Sequence, residues 1–454
     1  MNYKNKFTEP IRSLIYVFIC STVLLLSGCE FNPDPQQIIN QIVNQITAQG
    51  NPTETALPII PSQETSKTAV PQETIVPEIS GPIELELWVP PQFDPMADTP
   101  SGIMLRERIA QFEAENQDVF ITVRIKASAG TSGLLDALTI TSNAALDAMP
   151  SLIALSRSDL ETAVSRKLVF PIDPYSSIID GEDWYKYARN LTLIDGASYG
   201  LPFVGDALML LYRPAVIGKA PESWNDILSR GEPLAFPAAD PQSLVALAIY
   251  AAQRADVENP FTGSQIDSTA LTSMFQIFID GSKSGTFPLW IAQFQKDSEA
   301  WTSYNELRSN WVITWNSRYL QDLQNDTSAV SLPLISDMPF TYADGWVWAI
   351  SDPNPSLHPV SAKLAEFLTA TDFLRQWSPA AGVLPVRPSS LQGWQNQKVS
   401  LLLGQVALSA RIKPRNETIG TIGLLIEDQL IQVITGKTTA ELASQTVIEK
   451  IGNP

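Results

Sequence analysis

The sequence feature that most constrains the fold is a long apolar stretch in the middle of the chain, residues 199–213. Its second half, Leu208 to Tyr212, is an uninterrupted apolar run typical of a strand buried on both faces, and Pro202 and Gly205 punctuate the extended segment before it. The segments before and after this stretch each alternate between strand and helix patterns. We therefore predict two α/β lobes joined through it, with a crevice at the changeover, where α/β proteins hold small ligands.

The size and charge of the chain limit what those lobes can do. A chain of 454 residues is too long for one ordinary hydrophobic core, and a formal net charge of −18 argues against binding nucleic acid or an anionic lipid surface through the folded part. Such a charge favours neutral or cationic ligands over anionic ones. The single histidine, His358, rules out a multi-histidine metal site. We expect it to be solvated, in a loop or at a helix start.

The N-terminal segment carries a targeting signal. Three basic residues precede an apolar run over residues 14–26, which leads into Leu26-Ser-Gly-Cys29. The run is shorter than the roughly 20 residues of a membrane-spanning helix, and small residues before Cys29 suit cleavage. The segment resembles a bacterial lipoprotein signal, which implies removal of residues 1–28 and a lipid on Cys29 that anchors the chain to the membrane. The alternative is an uncleaved membrane anchor. Cleavage would also remove Cys20, so no internal disulfide is expected.

Residues 29–82 differ in composition from the rest of the chain. They are rich in Pro, Thr, Gln, Glu and Ser, so we predict a disordered tether. Within residues 36–49 of the tether, apolar side chains recur at helical spacing. That pattern fits a short self-association helix, or a transient helix that packs on nothing, because so short an isolated helix is marginal in water.

Strand and helix patterns alternate regularly after the tether. Residues 83–89 and 119–125 alternate as strands do, and residues 151–155 read as a third extended segment. Amphipathic helix patterns over residues 102–116 and 134–148 lie between them. Strands that alternate with helices of this length predict βαβ units and a mostly parallel sheet.

Several motifs in fixed order carry a family resemblance. They are Phe112-Glu-Ala-Glu-Asn116, Lys167-Leu-Val-Phe-Pro-Ile-Asp173, Asp195-Gly-Ala-Ser-Tyr-Gly-Leu-Pro202 and Pro221-Glu-Ser-Trp-Asn-Asp-Ile-Leu228. Each motif is weak alone, but their shared order from about Ile83 to the C-terminus is specific. The chain resembles family 1 extracellular solute-binding proteins, the maltose-binding-like receptors of ABC importers.

The resemblance implies a type 2 periplasmic-binding-protein fold of two α/β lobes, each a mostly parallel sheet flanked by helices, with a ligand cleft at the hinge. A second crossing is expected near Thr314, although Arg308-Ser-Asn-Trp311 departs from the start that many members carry there. The implied boundaries are 1–28 signal, 29–82 tether, 83–204 first part of lobe 1, 205–314 first part of lobe 2, 315–387 return through lobe 1 and 388–454 helical tail on lobe 2.

Candidate binding residues are aromatic and polar side chains at strand ends and crossings. Sugars present flat C–H faces that lie on aromatic rings, and hydroxyls that need polar partners on burial. The candidates are Trp88 and Phe93 after the first strand, Phe203 and Asp206 at the first crossing, Trp315, Asn316 and Arg318 at the second, and Asp344 and Trp346 at the return. The competing interpretation is core packing for each aromatic residue and a surface charge at the hinge for Asp206.

The function that the resemblance implies is solute capture. The expected protein is a monomeric, lipid-anchored receptor on the outer face of the cell membrane. It would close on a small solute, a sugar or oligosaccharide, and deliver it to an ABC importer permease without a cofactor. Two alternatives stay open at this point. One is a surface glycoside hydrolase with a carboxylate pair, whose separation sequence cannot set. The other is a receptor that senses a solute without transporting it.

Overall fold

Strands and helices alternate through the part of the chain that the computed structural model describes, which is residues 81–254, 266–322, 326–336 and 338–452. Cys29, the signal and the 36–49 segment lie outside these residues. The strands are β1 (Ile83–Val89), β2 (Val119–Ile125), β3 (Leu152–Ser156), β4 (Leu193–Ile194), β5 (Ala197–Ser198), β6 (Leu201–Tyr212), β7 (Leu234–Ala235), β8 (Trp311–Trp315), β9 (Ser328–Val330), β10 (Thr341–Ile350) and β11 (Ala410–Ile412).

The helices pack around these strands. They are α1 (Pro100–Glu115), α2 (Leu134–Ala144), α3 (Arg157–Ser165), α4 (Lys186–Thr192), α5 (Pro214–Ile217), α6 (Trp224–Arg230), α7 (Leu244–Ala251), α8 (Ser268–Ser284), α9 (Asp297–Asn305), α10 (Asn316–Gln321), α11 (His358–Leu368), α12 (Thr371–Ala381), α13 (Gln397–Ser409), α14 (Asn416–Thr418), α15 (Leu424–Ile434) and α16 (Ala440–Gly452). Single 3-10 turns lie at Pro91–Phe93, Leu146–Ala148, Ile178–Asp180, Leu289–Gln293, Pro355–Leu357 and Pro388–Leu391, and a π-helical turn at Ile419–Gly423.

Local sequence explains where these elements begin and end. The hydroxyl of Thr99 accepts a hydrogen bond from the N–H of Gly102 and caps α1, whose buried face is Leu105, Ile109 and Phe112. In α6, Ser223 and the Asp226 side chain form a capping box. The predicted strands over 83–89 and 119–125 are confirmed as β1 and β2. The predicted 134–148 helix ends earlier, at Ala144, and a 3-10 turn follows it.

The main sheet is mixed, with strand order β2-β1-β3-β10-β6-β8-β7, and with β11 on β10 and β9 on β6. The pairs β1–β2, β1–β3, β7–β8 and β10–β11 are parallel. The long strands β6 and β10 run antiparallel to each other at the centre. The α/β class predicted from alternating patterns is therefore confirmed, and the antiparallel centre of the sheet is where two halves join.

Two large hydrophobic clusters lie on either side of that centre. The first core includes Leu87, Ile153 and Trp377, and the second core includes Phe275 and Trp311. Strand β6 contributes to both cores, because residues from Leu201 to Met209 reach the first and Leu208, Leu210 and Tyr212 reach the second. The prediction that residues 199–213 connect two lobes agrees with this packing.

Near Thr314, where a second crossing is predicted, the chain contacts both cores. Ile313 and Leu332 belong to the second core, while Tyr319, Leu320 and Ala329 between them pack against the first. The chain passes fully from the second core to the first along β10, where Tyr342 packs in the second core and Val347 in the first. Thr314 itself lies in strand β8, which pairs with β6 inside the second lobe.

The C-terminal part also divides differently from the expected 388–454 unit. Val399, Leu403 and Val406 of α13 lie in the first core, and only from Ile419 onward do buried side chains join the second. Residues 410–418 are therefore a third crossing, and it lies later in the chain than the expected boundary at 387/388. The apolar face of α13 therefore packs on the first lobe, which the chain has just passed through. The part of the tail that packs on the second lobe begins about thirty residues later than predicted.

His358 begins helix α11 but is buried, so the expectation of a solvated side chain is wrong. Its Nε2 lies 2.7 Å from the carbonyl oxygen of Asp352, and its Nδ1 lies 3.3 Å from the hydroxyl of Tyr175. These contacts satisfy both ring nitrogens, which allows burial. Within the described residues, no helix combines the length and apolarity that crossing a membrane would need.

Candidate functional site

A cavity of about 870 Å³ opens between the two cores, at the place where β6 and β10 pair and pass from one core to the other. Its floor is formed by alternate residues of these strands, including Val204, Asp206, Asp344 and Trp346. In the paired register Asp206 lies opposite Asp344, and Gly205 lies opposite Gly345. Directly opposite residues of an antiparallel pair project to the same face, so the two carboxylates enter the cavity side by side.

The glycine pair, Gly205 and Gly345, leaves room for neighbouring groups to lie very close to these two strands. A Cβ on Gly205 would lie 2.2 Å from the hydroxyl oxygen of Tyr187, and one on Gly345 would lie 2.3 Å from the carbonyl oxygen of Val204. Helix α4, which carries Tyr187, therefore packs directly against the two glycines. Any side chain at either glycine would push that helix or the neighbouring strand away.

The two floor carboxylates have different partners. The Asp344 carboxylate pairs with the ammonium of Lys413, which the third crossing brings into the cavity. Asp206 instead accepts hydrogen bonds from the backbone N–H of Ser317 at 3.0 Å and from the Ser317 hydroxyl. Like charges directly opposite each other in a sheet repel. Because Lys413 neutralises Asp344, the repulsion between Asp344 and Asp206 is reduced.

Burial raises the pKa of Asp206 to about 7. The carboxylates of Asp297 and Asp344 push it in the same direction, while the hydrogen bonds from Ser317 oppose the rise. The pKa of Asp240, another carboxyl on the cavity wall, is also raised by burial. Perturbed carboxyls that share a cavity are typical of functional sites.

The second lobe contributes an ion pair to the wall. Arg318 of α10 donates from Nε to Asp297 at 3.0 Å, and the same carboxylate accepts from the hydroxyl of Thr314. Asn316 lies between the wall residues Trp315 and Ser317 but is fully buried, and its Oδ1 accepts from the N–H of Ala207 at 2.6 Å. Asn316 thus fastens α10 to β6 and lies behind the cavity wall.

Three aromatic rings line the cavity. Trp315 and Trp346 are half-buried, so each leaves part of its ring open to the space between the lobes. Phe93 reaches the wall at its edge but is mostly buried, 5.0 Å from Phe203 and 5.5 Å from Trp346 between ring centroids. Trp315 and Trp346 are therefore the rings best placed to lie on a ligand.

Trp88 and Phe203 were predicted at the cleft but lie in the first core. Trp88 is 2% exposed, its indole N–H donates to Glu86, and the ammonium of Lys126 lies over its ring at 4.7 Å. Phe203 stacks on Trp348 with ring centroids 4.3 Å apart. Their assignment as wall residues is corrected, as is that of Asn316, because packing against neighbouring elements covers all three side chains.

Six of the nine predicted binding residues line the cavity: Phe93, Asp206, Trp315, Arg318, Asp344 and Trp346. Their contact with a ligand stays a prediction. Asp240, Asp297, Ser317 and Lys413 were missed. Asp240 follows a short strand, so the search for side chains at strand ends could have found it. Lys413, in contrast, reaches the cavity only through the third crossing. The described residues contain no group of three or more His, Cys, Asp or Glu side chains that could hold a metal ion.

Comparison with known proteins identifies one matching family and many solved structures that share the fold. Residues 107–400, well over half of the chain, match the family described as bacterial extracellular solute-binding protein. No curated protein matches the chain. Among solved structures, the cyclic alpha-maltosyl-1,6-maltose binding protein from Arthrobacter globiformis covers 82% of this chain and 98% of its own length, at 15% identity and a TM-score of 0.66.

Two further structures are similar to the same extent. The maltodextrin binding protein MalE1 from L. casei BL23, solved without ligand, covers 83% of this chain and 100% of its own, at 14% identity and a TM-score of 0.66. The maltose-binding periplasmic protein MalE from Listeria monocytogenes, solved with maltose, covers 81% and 96%, at 13% identity and a TM-score of 0.66. At such identities the likeness shows a shared fold, and function has to be argued from the site.

Proposed function

The chain belongs to the bacterial extracellular solute-binding proteins, and from that membership we propose that it captures a sugar or oligosaccharide outside the cytoplasm by closing two lobes on it. The observation that carries the proposal is the cavity of about 870 Å³ between the two cores, which is lined by the rings of Trp315 and Trp346 and has carboxylates on its floor. The similar structures named above are described as binding maltose, maltodextrin or cyclic maltosyl-maltose.

The chemistry of the wall fits a sugar. Half-buried indole rings offer flat apolar faces for the C–H face of a pyranose. Asp297 and Asp344 have fixed partners in Arg318 and Lys413, so their free lone pairs are oriented before a ligand arrives. Hydroxyl groups that enter the cavity would then find acceptors in place, which lowers the entropic cost of binding.

Closure supplies the mechanism. Three chain segments join the lobes, namely β6, β10 and residues 410–418. A solute that contacts both lobes binds the closed form more tightly than the open one and shifts the equilibrium toward it. Gly205 and Gly345 lie opposite each other at the crossing. Bending is proposed to be concentrated there, because neither residue carries a side chain that must move.

Delivery and anchoring belong to the same proposal. Members of this family would act outside the cytoplasm, and we propose that this chain works as a monomer that hands its solute to an ABC importer permease. The sequence Leu26-Ser-Gly-Cys29 supports a lipid on Cys29 and attachment to the outer face of the membrane. The alternative function, a glycoside hydrolase, differs from a binding protein in that it would cleave glycosidic bonds of the bound sugar.

The test of binding starts from gently purified protein. Native mass spectrometry should find a co-purified solute, and calorimetric titration with maltotriose and cellotriose should give saturable binding without cleavage products. Small-angle scattering at saturation should show a smaller radius of gyration, because closure makes the particle more compact. Binding with an unchanged radius would contradict closure, and release of shorter sugars would favour the hydrolase.

The test of anchoring uses Cys29→Ser. The variant should be found in the soluble extracytoplasmic fraction, because one residue carries the covalent lipid. Cys20→Ser is the matched control, since it removes a cysteine that leaves with the signal. A Cys29→Ser protein that stays in the membrane fraction with its signal removed would refute the lipid anchor.

A further inference from the structure

The ionisable groups of the cavity do not balance each other. Four carboxylates and three cations line it: Asp206, Asp240, Asp297, Asp344, Lys296, Arg318 and Lys413. Two ion pairs, Arg318 with Asp297 and Lys413 with Asp344, account for four of these groups. Lys296 is exposed, so water screens its charge. Asp206 and Asp240 are left, and among the described residues neither forms an ion pair.

Asp206 is the more constrained of the two. Three neighbouring elements bring ionisable groups toward it: Asp344 on β10, Asp297 on α9 and Tyr187 on α4. None of these can compensate a negative charge, since two are acids and the third is a neutral phenol whose pKa is itself raised by burial. Among the described residues, the direct partner of the Asp206 carboxylate is Ser317, through two hydrogen bonds, and the ammonium of Lys413 helps only indirectly by pairing with Asp344. Asp206 thus has a pKa of about 7 because its charged form is destabilised.

We propose that the cavity takes a solute with a cationic group, an amino sugar in chemical class, whose protonated amine lies against the carboxylate of Asp206. This rests on the proposed function and specifies its ligand. A neutral hydroxyl would add a hydrogen bond at Asp206 and leave its charge uncompensated, whereas an ammonium provides both. An anionic sugar would meet the same uncompensated carboxylates and be repelled.

The surrounding rings favour the same chemistry. Trp315 and Trp346 share the cavity with Asp206, and indole faces attract organic cations as well as the C–H faces of sugars. A metal ion is a poorer candidate for the missing charge, because no three His, Cys, Asp or Glu side chains in the described residues come together around a possible ion position. The cation is therefore expected to arrive on the solute.

The test compares amine-bearing and neutral sugars of the same size by calorimetry at pH 7. The amine-bearing probes are the β-1,4-linked glucosamine trimer and kanamycin, and the neutral probes are the N-acetylglucosamine trimer, cellotriose and maltotriose. An amine-bearing probe should bind at least about tenfold tighter than its neutral counterparts, and added salt should weaken only that binding. Salt dependence needs no variant, so it tests the proposal even if substitution at Asp206 impairs folding.

The variant Asp206→Asn should remove the preference for the amine, so that the ratio of amine-probe affinity to neutral-probe affinity falls to about one. Asp372→Asn, an exposed carboxylate on the first lobe, is the matched control and should keep the preference. If neutral sugars bind as tightly as amine-bearing ones, or if Asp206→Asn keeps the preference, this inference is overturned while the proposed function stands. If none of the five probes binds, both are overturned.

Discussion

The two sides of the cleft are built from different chemistry. The first side is formed by Phe93, Trp346, Ala381 and Val383 together with the polar Gln92 and Ser156, and it continues the first core, since Phe93 also packs on Trp377. The second side carries more polar groups, Asp240, Gln242, Gln295, Lys296, Asp297, Ser317, Arg318 and Gln321, beside the apolar Pro237, Leu244, Val245, Ile313 and Trp315. One side therefore offers a rigid apolar surface, and the other offers fixed hydrogen-bonding groups that closure would bring against it.

Local structure explains the difference. Asp240 precedes helix α7, Asp297 is the first residue of α9, and Ser317 and Arg318 lie in the first turn of α10. First turns of helices leave backbone N–H groups free, and polar side chains collect there. On the first side, one described lining residue holds such a position, Ser156, whose hydroxyl caps α3. The contrast teaches that hydrogen-bond specificity should depend mainly on the floor and the second side, whereas ring stacking should come from both sides, through Trp346 and Trp315.

The largest effect is expected where a tryptophan of the second lobe belongs to the core. Trp311 and Trp315 lie at the two ends of β8, but Trp311 is fully buried and Trp315 is half-buried on the wall. Trp311→Ala should lower the free energy of unfolding by about 3–5 kcal/mol, and Trp315→Ala by clearly less. Urea unfolding measures both. Equal losses would mean that Trp315 is also a core residue.

A smaller effect is expected for ligand affinity on the first side. Trp346→Ala should weaken sugar binding by about 1–3 kcal/mol, the scale of lost ring stacking and apolar burial. Trp315→Ala should do the same from the second side. Trp394 is the matched control, because it is a half-buried tryptophan that packs against the first core away from the cavity. Unchanged affinity of a folded Trp346→Ala protein would remove that ring from the site.

The next effect concerns pH. The pKa of Asp206 is about 7 in the folded protein and about 3.9 in an unfolded chain, so between these values the folded state holds a proton that the unfolded state has released. Stability should therefore fall as pH rises from about 4 to about 7, by at most about 1.4 kcal/mol per pH unit from this group, and should stay level above.

Asp206→Asn removes this contribution. Urea unfolding of both proteins at pH 5, 6, 7 and 8 should give a variant that loses less stability than the wild type over the lower interval. Parallel pH profiles would show that Asp206 keeps an ordinary pKa, and the uncompensated charge on the cavity floor would then be doubtful.

The smallest effect is expected for the ion pair on the second side. Arg318 and Asp297 are both partly exposed, so Arg318→Gln should cost less than about 1 kcal/mol in unfolding free energy. Differential scanning calorimetry at low and high salt is the appropriate measurement, because a surface pair loses its small contribution on screening. A loss of several kcal/mol would show that this pair supports the fold of the wall.

The sequence predicted the elements better than their connections. Period-two alternation located β1 and β2, and the apolar run at Leu208 to Tyr212 located the central strand. The passage back to the first lobe was expected at residue 315, whereas it takes place along β10. The start of β10 is hard to recognise in the sequence, because its first residues, Thr341 to Asp344, are not uniformly apolar. Residues 410–418 carry three basic side chains, and their apolar–basic alternation from Ala410 to Lys413 is too short to mark a crossing.

The site was predicted in part for a related reason. Looking for rings near strand ends found Trp315 and Trp346, but it could not separate them from Trp88, whose burial depends on elements that pack over it later in the chain. Asp297 and Lys413 come from distant segments and meet the floor only through tertiary structure. Residue type and spacing contain little information about such convergence.

The pairing of β3 with β10 has a consequence for how this chain folds. The paired residues, such as Leu155 and Val347, are nearly two hundred positions apart, and α13 adds buried side chains to the same core still later. Contacts so distant in sequence slow folding, because loop closure precedes any gain from them. A nascent chain that ends before Thr341 would leave one edge of β3 open, and an open strand edge can pair with another copy. The N-terminal lobe must therefore wait for the C-terminal third of its own chain, and it is vulnerable to aggregation until that third arrives.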